Sequence, residues 1–301
     1  MLLRHPDVEL CWVNSTTAAG KRIDHVHPGL IGETDMAFVD EMPFGEVDVI
    51  FLCLHHSKPF LAEHQHEIPA EMRIIDLSAD YRIEDITQHD YVYGMPELNR
   101  RRMVPGTIHV GIPGPLAVAT QLALIPPAKN LLINSDVQVT TIAGSTIDQE
   151  SGDYSWRHDN VTLYQPFCHP ALAEVRQAIS QLQRSFSSNI ELLPMKGPFS
   201  RGIFATVYFK CNIAIEEITK LYEDYYDDHN FTFVTSRNVT LKDVVNTNKC
   251  LLHLEKIDDR LLITVVIDNL LKGAAGTAVH NMNLLFGLHE RVGLMTKASA
   301  F

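Results

Sequence analysis

The chain has 301 residues, 46% of them hydrophobic and 21% charged, and a formal net charge of −12. The length carries a soft prior of about two domains, and the composition excludes disordered, collagen-like and coiled-coil classes. The excess of acid over base argues against broad nucleic-acid or anionic-membrane binding, while leaving room for a local basic pocket.

Met1 to Pro6 reads as the last turn of a helix stopped ahead of proline. Val8–Val13 then reads as a strand, and a chain that opens on a helix end is expected to have lost an element in front of it. Val47–Leu54 is a near-continuous apolar run and Arg73–Leu77 a shorter one, the pattern of buried parallel strands with helices between them. The first hundred or so residues therefore predict an open α/β unit. Ile112 to Ala128 is a long uncharged stretch, but Pro113, Pro115, Pro126 and Pro127 are expected to break a helix there, so it is not a membrane span. After Thr120 the pattern changes to a mixed α+β one. Val137–Ala143 is a predicted strand, Pro170–Phe186 a helix with one apolar face, Gly202–Lys210 a β-rich run and Glu216–Tyr226 a helix. Cys250–Glu255 and Leu261–Asp268 flank Asp258-Asp259 as a hairpin, and Gly273–Phe286 is a helix rich in small residues. The five cysteines, Cys11, Cys53, Cys168, Cys211 and Cys250, are odd in number, widely spaced and without a CxxC, which suits a reducing compartment. No basic-then-apolar leader opens the chain, so the expected location is the cytoplasm.

Several segments carry candidate chemistry. Asn14–Lys21 follows the Val8–Val13 run directly. There Ser15, Thr16 and Lys21 either hold an adenosine 2′-phosphate through hydroxyls and charge, or form a polar loop capping the next helix. Arg82 lies just beyond a predicted strand, where open α/β sheets place ligands. It either forks onto a carboxylate or phosphate, or pairs with Asp80 in a turn. Tyr93–Arg100 follows, and the short basic run it forms with Arg101 and Arg102 reads as a solvated surface or a subunit contact. Gly144 and Ser145 either present backbone amides to a ligand or serve a tight turn. His169 is a candidate general acid with Glu174 nearby, or a structural histidine. Cys168 is a reactive thiol or a plain core residue. Lys196 and Arg201 bracket Gly197 and suit anion capture, or are ordinary surface charge. Asn269 and the amides of Asp268–Ala278 suit an amide-bearing ring or a phosphate, unless the small residues there serve close packing. His55, His56, His64 and His66 are clustered, yet no cysteine or carboxylate pattern completes a metal site, so no metal is expected.

Five segments in order resemble the N-acetyl-γ-glutamyl-phosphate reductases of arginine biosynthesis. They are Asp76–Arg82, Tyr93–Arg100, Pro113-Gly114 with Ala119–Leu124, Arg201–Thr206 and Asp268–Ala274. The resemblance runs from Met1 to Phe301. It implies a fold of class α/β, as in the semialdehyde dehydrogenase superfamily. Residues 1–114 with 274–301 would form a Rossmann-like NAD(P)-binding domain, and residues 115–273 a mixed α+β catalytic and dimerisation domain. It implies a homo-dimer or homo-tetramer that reduces N-acetyl-glutamyl phosphate to the semialdehyde with NADPH, by way of a cysteine thioester. His169 and Glu174 would be catalytic, Arg82, Lys196 and Arg201 would hold substrate, and Ser15, Thr16, Lys21, Gly144, Ser145 and Asn269 would face NADP.

Three departures qualify that expectation. The nucleophile position after Pro113-Gly114 is Pro115, which has no nucleophile, so activity is expected to be impaired, with Cys168 as a substitute candidate. The alternative is an inactive paralogue that keeps the fold for assembly or regulation. The family's first strand and glycine-rich pyrophosphate loop are expected before Met1, and without them NADP binding is expected to be weakened or lost. That strand is central in the sheet, so its loss would expose two unpaired edges. Thr146–Glu150 and Pro170-Ala171 replace a glycine-rich stretch and a second histidine.

Overall fold

A computed structural model describes residues 1–84, 90–106, 109–147 and 159–299. In chain order the elements are α1 (Ile23–Val26), β1 (Val49–Leu52), α2 (Lys58–Glu63), β2 (Arg73–Asp76), β3 (Val92–Tyr93), α3 (Pro96–Asn99), β4 (His109–Gly111), α4 (Pro115–Lys129) and β5 (Val137–Ala143). There follow β6 (Thr162–Leu163), α5 (Ala171–Leu182), β7 (Ile190–Lys196), β8 (Ile203–Lys210), α6 (Ile215–Tyr226), β9 (Thr232–Val234), β10 (Cys250–Ile257), β11 (Arg260–Ile267) and α7 (Gly276–Leu285).

The strands form two sheets. The first is four-stranded, in the order β1-β2-β4-β3, and every pairing in it is parallel. The second is seven-stranded and mixed, in the order β6-β7-β5-β8-β11-β10-β9. The expected hairpin is present: β10 and β11 pair antiparallel, and Asp258 turns the chain at φ 54°, a left-handed conformation that aspartate tolerates. After β11 a π-helical turn, Leu271–Ala275, leads into α7. The α7 residues Ala278, Met282 and Leu285 pack with Ile75, Val110 and Ile112, so the C-terminal helix returns to the first sheet.

Two sequence expectations fail. Ile112–Ala128 is not broken by its prolines, because α4 runs through Pro126 and Pro127. Pro115 costs nothing at the first helical position, where an N–H would have no partner. Pro126 and Pro127 remove the N–H groups that would bond the carbonyls of Leu122 and Ala123. Those two carbonyls instead accept the buried hydroxyls of Tyr226 at 2.6 Å and Tyr222 at 2.5 Å, both from α6. Tertiary hydrogen bonds thus replace what proline takes away. The helix is buried from Leu116 to Ala128 between the second sheet, α5 and α6. Among the described residues no helix is long and apolar enough to cross a membrane.

The second failure is the strand at Val8–Val13. That run makes no ladder, and only one isolated parallel bridge, Asn14 to Val39, marks its end. Its alternation suits a strand, but a strand also needs a neighbour. Between it and β1 lies a cleft of about 690 Å³, lined by both runs.

Candidate active site

The carboxyl ends of β2 and β4 meet the start of α4 at one corner between the sheets. Glu174, on the first turn of α5, sits in that corner and is 5% exposed. Its Oε2 accepts the Gly114 N–H and the Tyr93 hydroxyl, each at 2.9 Å. Gln121 of α4 donates to that same hydroxyl at 2.8 Å and to the Glu174 backbone carbonyl at 2.9 Å. Arg82 lies over the other face of the carboxylate, Nη1 to Oε1 at 4.0 Å. Its guanidinium is anchored on the carbonyls of Ile112 and Leu77, both at 3.0 Å. The expected alternative of an Asp80–Arg82 pair does not form, for Asp80 bonds His56 and the Lys58 amide. A side chain at position 114 would meet Glu174 Oε1 at 2.9 Å and Arg82 Nη1 at 3.0 Å, so the Gly114 backbone is the part that fits there.

Burial raises the Glu174 carboxyl above its ordinary value, and Arg82, the Gly114 amide and Tyr93 pull it part of the way back. His169, just ahead of α5, is held below the ordinary histidine value by burial first and by the Arg82 charge second. Its Nδ1 accepts the Ala171 N–H at 3.1 Å. A neutral ring so held carries its proton on Nε2. Its ring meets Tyr164 edge to face at 5.7 Å, and Lys196 Nζ lies 4.9 Å from the centre of the same tyrosine. Lys196 and His169 thus converge on one ring.

Pro115 stands at the head of α4, half-buried, directly after Gly114. Gly273 of the π-helical turn faces it, and a Cβ there would come within 2.6 Å of the Pro115 Cβ. The position combines a helix N-terminus with a neighbouring guanidinium, surroundings that stabilise an anion such as a thiolate. Proline supplies none. Cys168 is exposed, and its backbone N–H bonds Gln165.

The other predicted residues fall elsewhere. Arg201 Nε lies 2.7 Å from Asp268 Oδ2, a contact of charge without the alignment of a hydrogen bond. Asp268 is fully buried and accepts the amides of Asn246, Leu270 and Leu271, which fixes the turn into the π-helix. Asn269 is buried, accepts the Gly202 N–H at 2.7 Å and donates to Thr146 at 3.0 Å. The amides of Gly144 and Ser145 donate to Gly202 and Phe199, so they are not available to a ligand as the sequence suggested. Gly144 serves close packing, since a Cβ there would meet the Arg201 nitrogen at 2.6 Å. Ser15 takes the Ala18 amide in a local turn, while Thr16 and Lys21 are exposed. Within Thr146–Glu150, residues 148–150 lie outside the described residues. The histidine cluster is dispersed: His56 bonds Asp80, while His64 bonds Glu67.

Sequence reasoning assigned no role to Tyr93 beyond its place in the Tyr93–Arg100 segment. Tyr93 is 1% exposed, and its hydroxyl reaches a residue 81 positions away. The only available signal was the apolar Val92-Tyr93 pair ahead of Gly94. Gly273 was read for ligand amides or helix packing, and its closeness to Pro115 was not foreseen.

A parallel-sheet lobe and a mixed-sheet lobe, with a buried acid, an arginine and a histidine at their junction, define a two-domain oxidoreductase of the semialdehyde dehydrogenase class. Residues 1–104 match the semialdehyde dehydrogenase NAD binding domain, and residues 116–269 the semialdehyde dehydrogenase dimerisation domain. The fold is similar to that of aspartate semialdehyde dehydrogenase II from Vibrio cholerae, at TM-score 0.70 and 15% identity, covering 93% of this chain and 91% of that one. The whole chain is 54% identical to the N-acetyl-gamma-glutamyl-phosphate reductase of Parabacteroides distasonis and 48% identical to that of Phocaeicola vulgatus, covering 94% of each. The chain belongs to the N-acetyl-gamma-glutamyl-phosphate reductase family.

Proposed function

We propose that this chain carries the scaffold for reductive dephosphorylation of N-acetyl-glutamyl phosphate to its semialdehyde, with NADPH as reductant, and that Pro115 closes the covalent route. The observation that carries the reading is the corner itself: Glu174, Gly114, Arg82 and His169 assembled around a helix start that holds proline. A nicotinamide cofactor follows from the family; NADP in particular is favoured by the exposed Thr16 and Lys21 beside Ser15, which suit a 2′-phosphate. Asn269 is already paired with Gly202 and Thr146, so among the residues expected to face the cofactor it fits only in part. When bound, the cofactor supplies hydride. Arg82 and Lys196 face the corner with positive charge and bind the anionic substrate, with Arg201 further along the second sheet. Glu174 positions Gly114 and Tyr93, and His169 holds or gives the proton at Nε2. The reading places the domain boundaries at 114/115 and 273/274, a homo-dimer or homo-tetramer as the assembly, and the cytoplasm as the location.

The test is P115C against the parent chain. Each is incubated with the acyl phosphate, with and without NADPH, and analysed by mass spectrometry and cofactor oxidation. The expected result is an acyl adduct on the introduced thiol, with restored turnover, and neither in the parent. Rapid turnover by the parent, or an adduct on its Cys168, would overturn the proposal that position 115 closes the route.

A further inference from the structure

The two oxygens of the Glu174 carboxyl are unequally held. Oε2 takes the Gly114 N–H and the Tyr93 hydroxyl, each at 2.9 Å, and these two donors occupy both of its lone pairs. Tyr93 is 1% exposed, and its hydroxyl oxygen accepts Gln121 Nε2 at 2.8 Å. The hydroxyl proton has Gln121 Oε1 as its alternative at 3.1 Å. That amide already donates to the same oxygen, which leaves the shorter contact, to Glu174, as the one made. Gln121 Nε2 also holds the Glu174 backbone carbonyl at 2.9 Å, so one buried amide fixes the tyrosine and the acid together. Oε1 makes no hydrogen bond among the described residues, and Arg82 Nη1 at 4.0 Å is too far to supply one. A proton arriving on Glu174 therefore has Oε1 as its seat.

Oε1 and Nη1 face one space. A side chain at position 114 would come within 2.9 Å of Oε1 and 3.0 Å of Nη1, so both atoms border the room that glycine leaves at the head of α4. The other Arg82 nitrogens, Nε and Nη2, are bound to the carbonyls of Ile112 and Leu77, which leaves Nη1 unused among the described residues. The Arg82 side chain is 23% exposed against 5% for Glu174, so a ligand reaches the pair along the guanidinium. An oxyanion seated there accepts from Nη1. Against an ionised Glu174 it meets a like charge, whereas against a Glu174 protonated at Oε1 it meets a second donor. The seat is complete only when the acid carries its proton.

We propose that this seat takes one oxyanion of the substrate between Arg82 Nη1 and Glu174 Oε1, and that Glu174 takes up a proton from solvent on Oε1 as the oxyanion arrives. Tyr93 and Gln121 are the positioning residues that keep the proton on that oxygen. This coupling rests on the proposed reading of the corner as the site of an anionic acyl phosphate. The groups facing Glu174 act in the required sense. Burial favours its neutral form, and Arg82 is the largest opposing influence, ahead of the Gly114 amide and Tyr93. An anion on Arg82 cancels part of that opposition, so the proton binds more readily. His169 feels the same guanidinium, which together with burial holds it below its ordinary value, so it too gains protonation when the anion binds. The two groups are told apart by substitution.

The test follows binding of N-acetylglutamate, for a carboxylate, and of sulfate, for a phosphoryl group, by calorimetry in buffers of different ionisation enthalpy at about pH 6 and about pH 8. The parent should take up protons on binding and lose affinity as the pH rises, by up to about tenfold per pH unit for one linked proton. E174Q keeps an oxygen for Gly114 and Tyr93 and sets an N–H where the proton would stand. It should bind at least as tightly as the parent at the higher pH, and its proton uptake should fall to the share of His169, which H169N removes in turn. Y93F takes a donor from Oε2 and so favours the neutral acid; its affinity profile should move to higher pH, whereas a bracing role alone would lower affinity without moving it. R82Q should abolish binding of whichever anion takes the seat, which tells carboxylate from phosphoryl. E174Q binding about tenfold weaker than the parent at the higher pH, equal proton uptake in the two, an unmoved Y93F profile or binding that survives R82Q would overturn the proposal. So would the absence of binding by both anions. None of these readouts needs turnover. Adduct formation by P115C without proton linkage would sink this coupling and leave the proposed function, while linked binding without an adduct would do the reverse.

Discussion

Replacing Lys272 by methionine removes the charge that ties α3 to the π-helical turn. Lys272 and Glu97 side chains are 0% and 1% exposed, and Nζ lies 2.5 Å from Oε1. Methionine retains an apolar stem beside Phe231 but no cation. Glu97 would then stay buried with the Thr232 hydroxyl donating to it at 2.9 Å. Burial drives the Glu97 carboxyl upward, yet Lys272, ahead of His229 and His280, more than offsets this and brings it from 4.5 down to about 2. At about 1.4 kcal/mol per pH unit that depression corresponds to about 3 kcal/mol. Breaking one side of a buried pair elsewhere costs about 3–5 kcal/mol. Urea unfolding at neutral pH should show K272M less stable by an amount in that range, and K272M/E97L should regain most of it, because no buried charge is then left alone. The pH dependence gives a second reading. A depressed carboxyl contributes its full stability above its unfolded value near 4.5 and loses it as the pH falls toward 2. K272M should lack that acid-side loss. A K272M chain within about 1 kcal/mol of the parent, or a double variant as unstable as the single, would refute the reasoning.

The paired tyrosines under α4 give a second expectation: Y222F and Y226F each leave a buried carbonyl without its donor, and each should cost about 1–3 kcal/mol in urea unfolding. Unchanged midpoints in both would show that the carbonyls freed by Pro126 and Pro127 need no partner. A third concerns histidines. His169, His229 and His280 are all held below 6.5, by burial first, so the unfolded chain binds more protons and stability drains as the pH falls through 6.5. Asp76 and Glu174, raised by burial, act in the opposite sense, so the histidine part is read as a difference. H229N should lose less of its urea midpoint than the parent between pH 7 and 5.5, and an identical slope would count against the assignment.

What the sequence made legible depended on whether a segment's structure is decided locally. Val137–Ala143 alternates and is a strand over those same residues, its side chains buried and half-buried by turns. The predicted helix at Pro170–Phe186 forms over Ala171–Leu182, and β10 and β11 flank the aspartate turn as expected. The α4 helix was hidden because two local proline rules pointed one way and two hydroxyls about a hundred residues distant pointed the other. Val8–Val13 shows the converse: its pattern is right for a strand, yet pairing is a property of two segments. In the corner, His169, Glu174 and Arg82 were visible as residue types suited to acid, base and anion chemistry. Tyr93 was not, because its meaning lies in a contact across the fold. Gly144 and Ser145 carried the right residue types for amide donation, but the 199–202 turn takes both amides, which only the packed chain reveals.

The corner around position 115 is shaped by almost everything except residue 115. Gly114 gives its amide to Glu174, Arg82 is anchored on backbone carbonyls, and Tyr93 and Gln121 brace the carboxylate from behind. None of these bonds uses the side chain that follows Gly114. The first position of a helix asks only for a compatible φ, and proline meets that better than most residues. Gly273 leaves room on the facing side, so the ring of Pro115 fits without displacing the π-helical turn. Proline at 115 is therefore nearly silent in folding, while on the proposed reading it is the residue that closes the covalent route. The assembled acid, cation and histidine place no constraint on the residue between them, so under the proposed function a thiol introduced at that one position should be enough to separate a chain able to form a thioester from one that keeps only the surroundings of one.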